Sequence, residues 1–229
     1  MDKTEIPVPA EIRRSARRTL ALEVLPDGRL IVRAPRRLSE RAIREFLAQK
    51  AAWIAEKQRQ ALAAAKSSLR VENGAVWPVG GREYTLLLTG GAALSVDRGQ
   101  GIARLPADAP GRAWEMFLRQ ETARVCTALA ETLSREIGVT VQSVGVTGAK
   151  TRWGSCSSRG RIHFSWHLIL CPPEVIRYVV VHELCHRRYM DHSVQFWQLV
   201  RQHCPEADAA RRWLRGHRDR MEADTADGT

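Results

Sequence analysis

Short stretches in which apolar and polar residues alternate fill the first half of the chain, and this period of two is typical of half-buried strands. They form three consecutive pairs, each joined across a glycine-containing turn: 19–25 with 29–34, 76–79 with 84–89, and 94–96 with 102–105. The first turn reads Pro26-Asp27-Gly28, a sequence that predicts a hairpin. We expect residues 1–12 to form a loose lead before the first strand.

Apolar residues at helical spacing predict one long helix in the front half and another at the start of the back half. Ser39 is placed to cap the first, which we expect to run to about residue 66. The second spans 111–137 and is expected to stop at Gly138. The remaining predicted elements are a strand at 139–147, paired strands at 150–156 and 161–166, and helices at about 173–189, 193–203 and 207–220.

These elements predict an α+β fold in two parts. Residues 1–108 would form a β-rich N-terminal module with one long helix. Residues 109–220 would form a second domain in which an active-site helix packs on a small sheet, and 221–229 a short polar tail that frays. All seven histidines lie between residues 163 and 217, so the candidate chemistry belongs to the second domain.

The predicted helix 173–189 carries the sequence His182-Glu183-Leu184-Cys185-His186, which reads H-E-x-x-H. Histidines four residues apart project from one face of a helix, and two imidazoles at that spacing can bind one tetrahedral metal ion. Glu183 can then take a proton from a water at that metal. The sequence therefore predicts a zinc-dependent hydrolase, most often a peptidase.

A third ligand is expected after this helix. His192 follows His186 by six residues and lies in a predicted turn, from which it could complete the site. Glu206, twenty residues after His186, fits the spacing of an acidic third ligand and remains an alternative. It also reads as an ordinary helix start after Cys204-Pro205.

Other polar groups near the motif could contact the substrate or the transition state. Tyr178 and Tyr189 lie on the same predicted helix, and Arg152 and His163 on the neighbouring pair of strands. Strand 161–166 is also a candidate edge strand that could bind an extended peptide by adding a strand to the sheet.

The five cysteines form no C-x-x-C pair, which argues against both a disulfide framework and a cysteine-built zinc ribbon. The sequence contains no run of about 18 apolar residues, so no membrane span is predicted. The N-terminus is polar and then basic and lacks an apolar signal-peptide core. We therefore expect a cytoplasmic protein with reduced thiols and no membrane partner.

The formal net charge is +11, and 31 of the 36 basic residues are arginine. Such a charge would attract nucleic acid. The arginines are spread over the chain in small clusters, however, so an ordinary solvated basic surface is the favoured interpretation. Nucleic acid remains a possible but not a favoured partner.

Several short motifs occur in a fixed order along the chain. They are S-A-R-R at 15–18, P-D-G at 26–28, Ala34-Pro35, K-A-A-W-I at 50–54, R-W-G-S-C at 152–156, W-H-L-I-L at 166–170, Y-V-V-V-H-E-L-C-H at 178–186, His192-Ser193 and Phe196-Trp197. Over roughly residues 12–216 this succession resembles the YgjP-like metal-dependent hydrolases, which are similar to the SprT-like and WLM metallopeptidases that process proteins near DNA. The resemblance implies a zincin-like catalytic core, zinc as the metal, and peptidase activity.

The chain departs from that pattern at a few positions. Cys185 stands where a small alanine is more usual, and the residues that follow His186 are also uncommon. Tyr189 occupies the place of the metzincin glycine. No cysteine zinc ribbon follows the core, unlike many SprT-like proteins, which weakens an inference of DNA targeting.

The sequence thus predicts a zinc metallopeptidase that cleaves extended or unfolded protein segments, with Glu183 as general base and Zn2+ on His182, His186 and His192. A nucleic-acid-associated zinc-binding module and an inactive structural zinc protein are the alternatives. Oligomeric state and substrate are left open by the sequence.

Overall fold

A computed structural model describes residues 9, 11–25, 28–67, 69–91 and 93–226, with the side chains of 60–67 excepted. The chain divides into two compact units, Met1–Ser68 and Leu69–Thr229. None of the helices in the described ranges is long and apolar enough to cross a membrane. The α+β class predicted from the sequence is confirmed.

The first unit contains a three-stranded sheet in the order β1-β3-β2, built from Glu11–Ser15 (β1), Ala21–Val24 (β2) and Leu30–Pro35 (β3). The predicted β2–β3 antiparallel pair is confirmed, although Pro26 and Asp27 of its turn lie outside the described residues. β1 pairs parallel to β3 and was not predicted. Its five residues are all exposed, so no apolar alternation marks them as a strand.

Two helices follow, Glu40–Gln49 (α1) and Ala51–Ser67 (α2), where the sequence predicted one. Ser39 caps α1, since its Oγ accepts a hydrogen bond of 3.2 Å from the amide of Ala42. Lys50 adopts a non-helical backbone conformation between them. Apolar residues of both helices nevertheless pack against the sheet. They form one small core of Leu30, Val32, Ala34, Ile43, Leu47 and Ile54.

The second unit begins with a four-stranded sheet. Its order is β4-β5-β7-β6, with strands Val76–Val79 (β4), Arg82–Thr89 (β5), Ser95–Asp97 (β6) and Ile102–Pro106 (β7). Both predicted antiparallel pairs are present, and a parallel β5–β7 pair joins them. The long helix Pro110–Ile137 (α3) follows and ends at Gly138, whose φ of 70° is left-handed.

This sheet belongs with the back half of the chain, contrary to the predicted boundary at residues 108 and 109. Trp77 and Tyr84 of the sheet contact Trp114 of α3, with Trp77 and Trp114 edge to face at 5.9 Å between ring centroids. All three rings are buried in one core. Strands that were predicted to be part of the front module therefore supply aromatic side chains that pack against α3.

A second sheet of three strands, in the order β8-β10-β9, precedes the helix that contains the H-E-x-x-H sequence. It consists of Ser143–Thr147 (β8), Gly154–Cys156 (β9) and Arg161–Ser165 (β10). β10 lies in the middle, parallel to β8 and antiparallel to β9. The prediction that 161–166 is an edge strand is therefore wrong, and β9 is an edge instead.

Helical elements complete the unit: the 3-10 helix Trp166–Leu170, Pro173–Cys185 (α4), Val194–His203 (α5), Ala207–Gly216 (α6) and the 3-10 helix Arg218–Glu222. α4 and α6 each end about four residues earlier than predicted. The expected frayed tail from residue 221 is also corrected: Met221 and Ala223 are buried, and the amide of Asp224 donates to the carbonyl of Leu69 at 2.8 Å. The last part of that tail, 227–229, lies outside the described residues.

Candidate metal centre

Three histidine side chains converge beyond the C-terminal end of α4. One ring nitrogen from each of His182, His186 and His192 lies within 4.8 Å of the others. His182 lies in the last turn of α4, His186 is its C-cap, and His192 lies in the loop before α5. The serine after His192 caps α5 and so fixes where that loop ends.

The spacing between His182 and His192 fits a tetrahedral metal ion. The Nε2 atoms of His182 and His192 are 3.2 Å apart. Zinc–nitrogen bonds of about 2.0–2.1 Å in tetrahedral geometry require a nitrogen–nitrogen separation of roughly 3.3 Å. Within the described ranges no fourth histidine, cysteine or acidic side chain joins the group. A tetrahedral ion held by these three side chains would keep one position open, as in catalytic rather than structural zinc sites.

Glu206, the rival third ligand, is not part of this cluster. It is exposed at the N-cap of α6, where its Oε2 lies 3.9 Å from the Sγ of Cys204. Glu206 therefore stands at the start of a helix, as its alternative interpretation predicted. The side chain that lies beside those of His182 and His186 is His192.

Burial keeps two of the candidate ligands, His182 and His186, in the form that can bind a metal ion. Desolvation, with smaller contributions from nearby cationic groups, lowers the pKa of His182 to about 3. Desolvation also lowers the pKa of His186, against a hydrogen bond to the Tyr189 carbonyl that raises it. Both rings are therefore neutral at physiological pH, which leaves a nitrogen lone pair available for a cation.

The outer nitrogens of these two rings have partners of their own. Tyr178 Oη lies 3.4 Å from Nδ1 of His182, and the carbonyl oxygen of Tyr189 lies 3.0 Å from Nδ1 of His186. If each Nε2 faced a bound metal ion, each Nδ1 would carry a proton and donate it to that oxygen, which would fix the ring orientation. Tyr178 and Tyr189 were both predicted as candidates for transition-state or substrate contacts. Tyr178 contacts an outer nitrogen through its hydroxyl, whereas Tyr189 does so through its backbone carbonyl.

Glu183 lies next to the cluster against strand β9. Its side chain is so close to Gly154 that a β-carbon there would be 2.7 Å from Oε1 and 2.8 Å from Cγ. Only glycine at this position leaves the carboxylate its space. Gly154 belongs to the R-W-G-S-C motif, but no role was predicted for it, because the contact depends on how α4 packs on β9.

The electrostatics of Glu183 suit a proton acceptor. Burial raises its pKa to about 7, while the positive charge of Arg152 acts in the opposite direction. Arg152 is thus close enough for its charge to influence the carboxylate. Glu183 makes no hydrogen bond with any described residue, and its oxygens are not among the fully buried unpartnered polar atoms, so they are available to water or substrate.

His163 is the one candidate that lies away from the centre. It pairs with Ser155 and Gly145 in the sheet, and its ring lies over Gly145, where a β-carbon would be 2.8 Å from Cδ2. Because side chains alternate along a strand, exposed His163 projects from the face opposite to buried Ile162 and Phe164. Gly154 pairs with Phe164, so Glu183 lies on that other face.

Comparison with known proteins agrees with the motif. A family model described as YgjP-like, metallopeptidase domain, matches residues 18–217. A search of curated proteins gives no match. Among solved structures, the metallopeptidase zymogen abylysin of Pyrococcus abyssi is similar at 23% identity and a TM-score of 0.37, over 40% of this chain and 93% of that one.

Proposed function

Because the chain belongs to the YgjP-like metallopeptidase family, we propose that it is a zinc-dependent endopeptidase that cleaves extended or unfolded protein segments. The convergence of three histidine nitrogens within 4.8 Å, with a buried glutamate beside them, is the observation that carries this proposal. His182, His186 and His192 would hold the metal. When bound, zinc supplies Lewis-acid polarisation of the scissile carbonyl and makes a water acidic.

Glu183 would perform the proton transfers. Its carboxylate, with a pKa raised to about 7, would accept a proton from the attacking water at one Oε. The same oxygen would then donate that proton to the leaving amine. Gly154 leaves the space that the carboxylate would need in both steps, and Arg152 moderates the effect of burial.

An extended substrate is supported by the outer edge of β9, along which no described strand pairs. The Trp153 carbonyl accepts from Ser165, and the Ser157 amide donates to Arg161, at 2.9 Å each. Since ladder bonds alternate along an antiparallel pair, the backbone groups of Gly154 and Cys156 point away from β10. A peptide that adds a strand along this edge would pass directly beside Glu183.

The test compares hydrolysis of a permanently unfolded, fluorescently labelled protein by the wild type and by Glu183→Gln, each loaded with zinc. We expect both to bind one zinc per chain and only the wild type to cleave, because the amide cannot accept a proton. Equal cleavage by the two would contradict the proposal. DNA binding with a steep salt dependence, unchanged in Glu183→Gln, would instead favour a nucleic-acid-associated module.

A further inference from the structure

His192 is the least anchored of the three histidines. Its partners in the site each have an oxygen at the outer Nδ1, whereas Nδ1 of His192 makes no hydrogen bond with any described residue. It is exposed and lies in a loop rather than on a helix. A metal ligand usually needs a second contact that fixes its ring, so another kind of support is required here.

That support comes from aromatic rings on α5. The His192 ring packs edge to face on Phe196, with 4.9 Å between centroids. It stacks on Trp197 at 5.7 Å, with an interplanar angle of 28°. The orientation of His192 therefore depends on where the Trp197 indole lies.

The indole is in turn held by a cation. The Cζ atom of Arg211, on α6, lies 4.1 Å from the ring centroid of Trp197, well within the range of about 6 Å for a cation–π contact. Arg211 Nη1 lies 3.5 Å from Asp208, and Asp208 also accepts from Arg201 of α5 at 3.2 Å. The Arg211 guanidinium is thus held by one contact to α5, the Trp197 ring, and by one contact to α6, the Asp208 carboxylate.

We propose that Arg211 is a positioning residue for the third metal ligand: its stacking on Trp197 fixes the indole against which His192 orients. The inference rests on the metal-binding part of the proposed function. The stack replaces the outer hydrogen bond that His182 and His186 possess.

A purely electrostatic role makes the opposite prediction. The charge of Arg211 contributes, after burial and the neighbouring histidines, to the lowered pKa of His182, so the guanidinium is within electrostatic reach of the site. A positive charge there repels a divalent cation. Removing it would therefore tighten zinc binding if charge alone mattered, and would weaken zinc binding if the stack positions His192.

The experiment measures the zinc dissociation constant by competition with a chelating dye. Arg212 provides a matched control, because it is the next arginine on α6 and is exposed, while the cation over Trp197 is that of Arg211. We expect Arg211→Gln to weaken zinc binding about tenfold, as loss of an outer-shell partner does. Arg212→Gln should stay within about twofold, and Arg211→Lys, which keeps a cation near the ring, should recover part of the loss.

A double-mutant cycle with His192→Ala shows whether the effect passes through that ligand. Arg211→Gln should weaken zinc binding no further in the His192→Ala background. The visible absorption of the cobalt-substituted protein should change in Arg211→Gln and not in Arg212→Gln.

Unchanged or tighter zinc binding by Arg211→Gln would overturn this inference while leaving the proposed function intact. An equal loss with and without His192 would do the same. A wild type that binds no zinc would overturn both.

Discussion

Replacing Gly154 with alanine should slow peptide hydrolysis by about ten- to a hundredfold while metal affinity is retained. The new β-carbon would lie 2.7 Å from Oε1, 2.8 Å from Cγ and 3.0 Å from Cδ of Glu183. Carbon atoms in contact normally stand about 3.5–4.0 Å apart, so the carboxylate must move by roughly 0.7 Å. A misplacement of about 1 Å can cost about a hundredfold in rate.

The backbone itself should accept the alanine, because Gly154 is not among the glycines with positive φ. Crowding of this kind costs about 1–3 kcal/mol of unfolding free energy, which leaves the protein folded at assay temperature if its stability is ordinary. The assay is kcat on an unfolded protein substrate, with the zinc dissociation constant measured in parallel. If Gly154→Ala acts through Glu183, the double variant Gly154→Ala with Glu183→Gln should have the same kcat as Glu183→Gln alone.

Gly145→Ala is the matched control. Its β-carbon would lie 2.8 Å from Cδ2 of His163, a contact as close as the one at Gly154, but on the exposed face of the same sheet. Hydrolysis should stay within about twofold of the wild type. A wild-type rate for Gly154→Ala, or the same slowing in both variants, would refute the assignment of Gly154 as clearance for Glu183.

Three further predictions concern the ligands and the C-terminal segment. His192→Ala should weaken zinc binding at least a hundredfold and Glu206→Ala should not change it, by dye competition; the reverse result would return the third-ligand role to the acid. Tyr178→Phe removes the oxygen at the outer nitrogen of the first motif histidine and should weaken zinc binding about tenfold, with undiminished affinity counting against that contact. Met221→Ala should lower the free energy of unfolding in urea by about 2 kcal/mol or more, because this side chain is buried, whereas exposed Met116→Ala should change it by less than about 0.5 kcal/mol; equal effects would mean that the C-terminal segment does not pack as described.

Much of the metal site could be predicted from the sequence because its geometry is local. Histidines at i and i+4 share a helix face whatever the rest of the fold does. His192 follows within one short loop, so its convergence with His182 needs only a turn. The contact of Gly154 with Glu183 could not be predicted in this way, because it forms only when α4 packs on β9. The contact of Arg211 with Trp197 likewise requires α6 to pack beside α5.

The fold shows the same division between local and non-local information. Strand pairs joined by short glycine turns, such as β4 with β5, were predicted from alternation and turn chemistry. The parallel pairs β1–β3 and β5–β7 join segments separated by other elements, and no local pattern marks them. The predicted boundary after residue 108 was wrong for this reason, since Trp77 belongs to a core completed by a later helix.

The three histidines lie within one stretch of 182–192, and this proximity has a consequence for the unfolded chain. Closing a loop of so few residues costs little entropy, so we expect partly unfolded molecules still to chelate a metal ion. Glu183 lies beside Gly154 only once α4 has packed on β9, so we expect the proposed catalytic arrangement to form later than metal binding. Metal content and activity should therefore separate in a denaturant titration, with hydrolysis lost first and zinc retained into the unfolding transition.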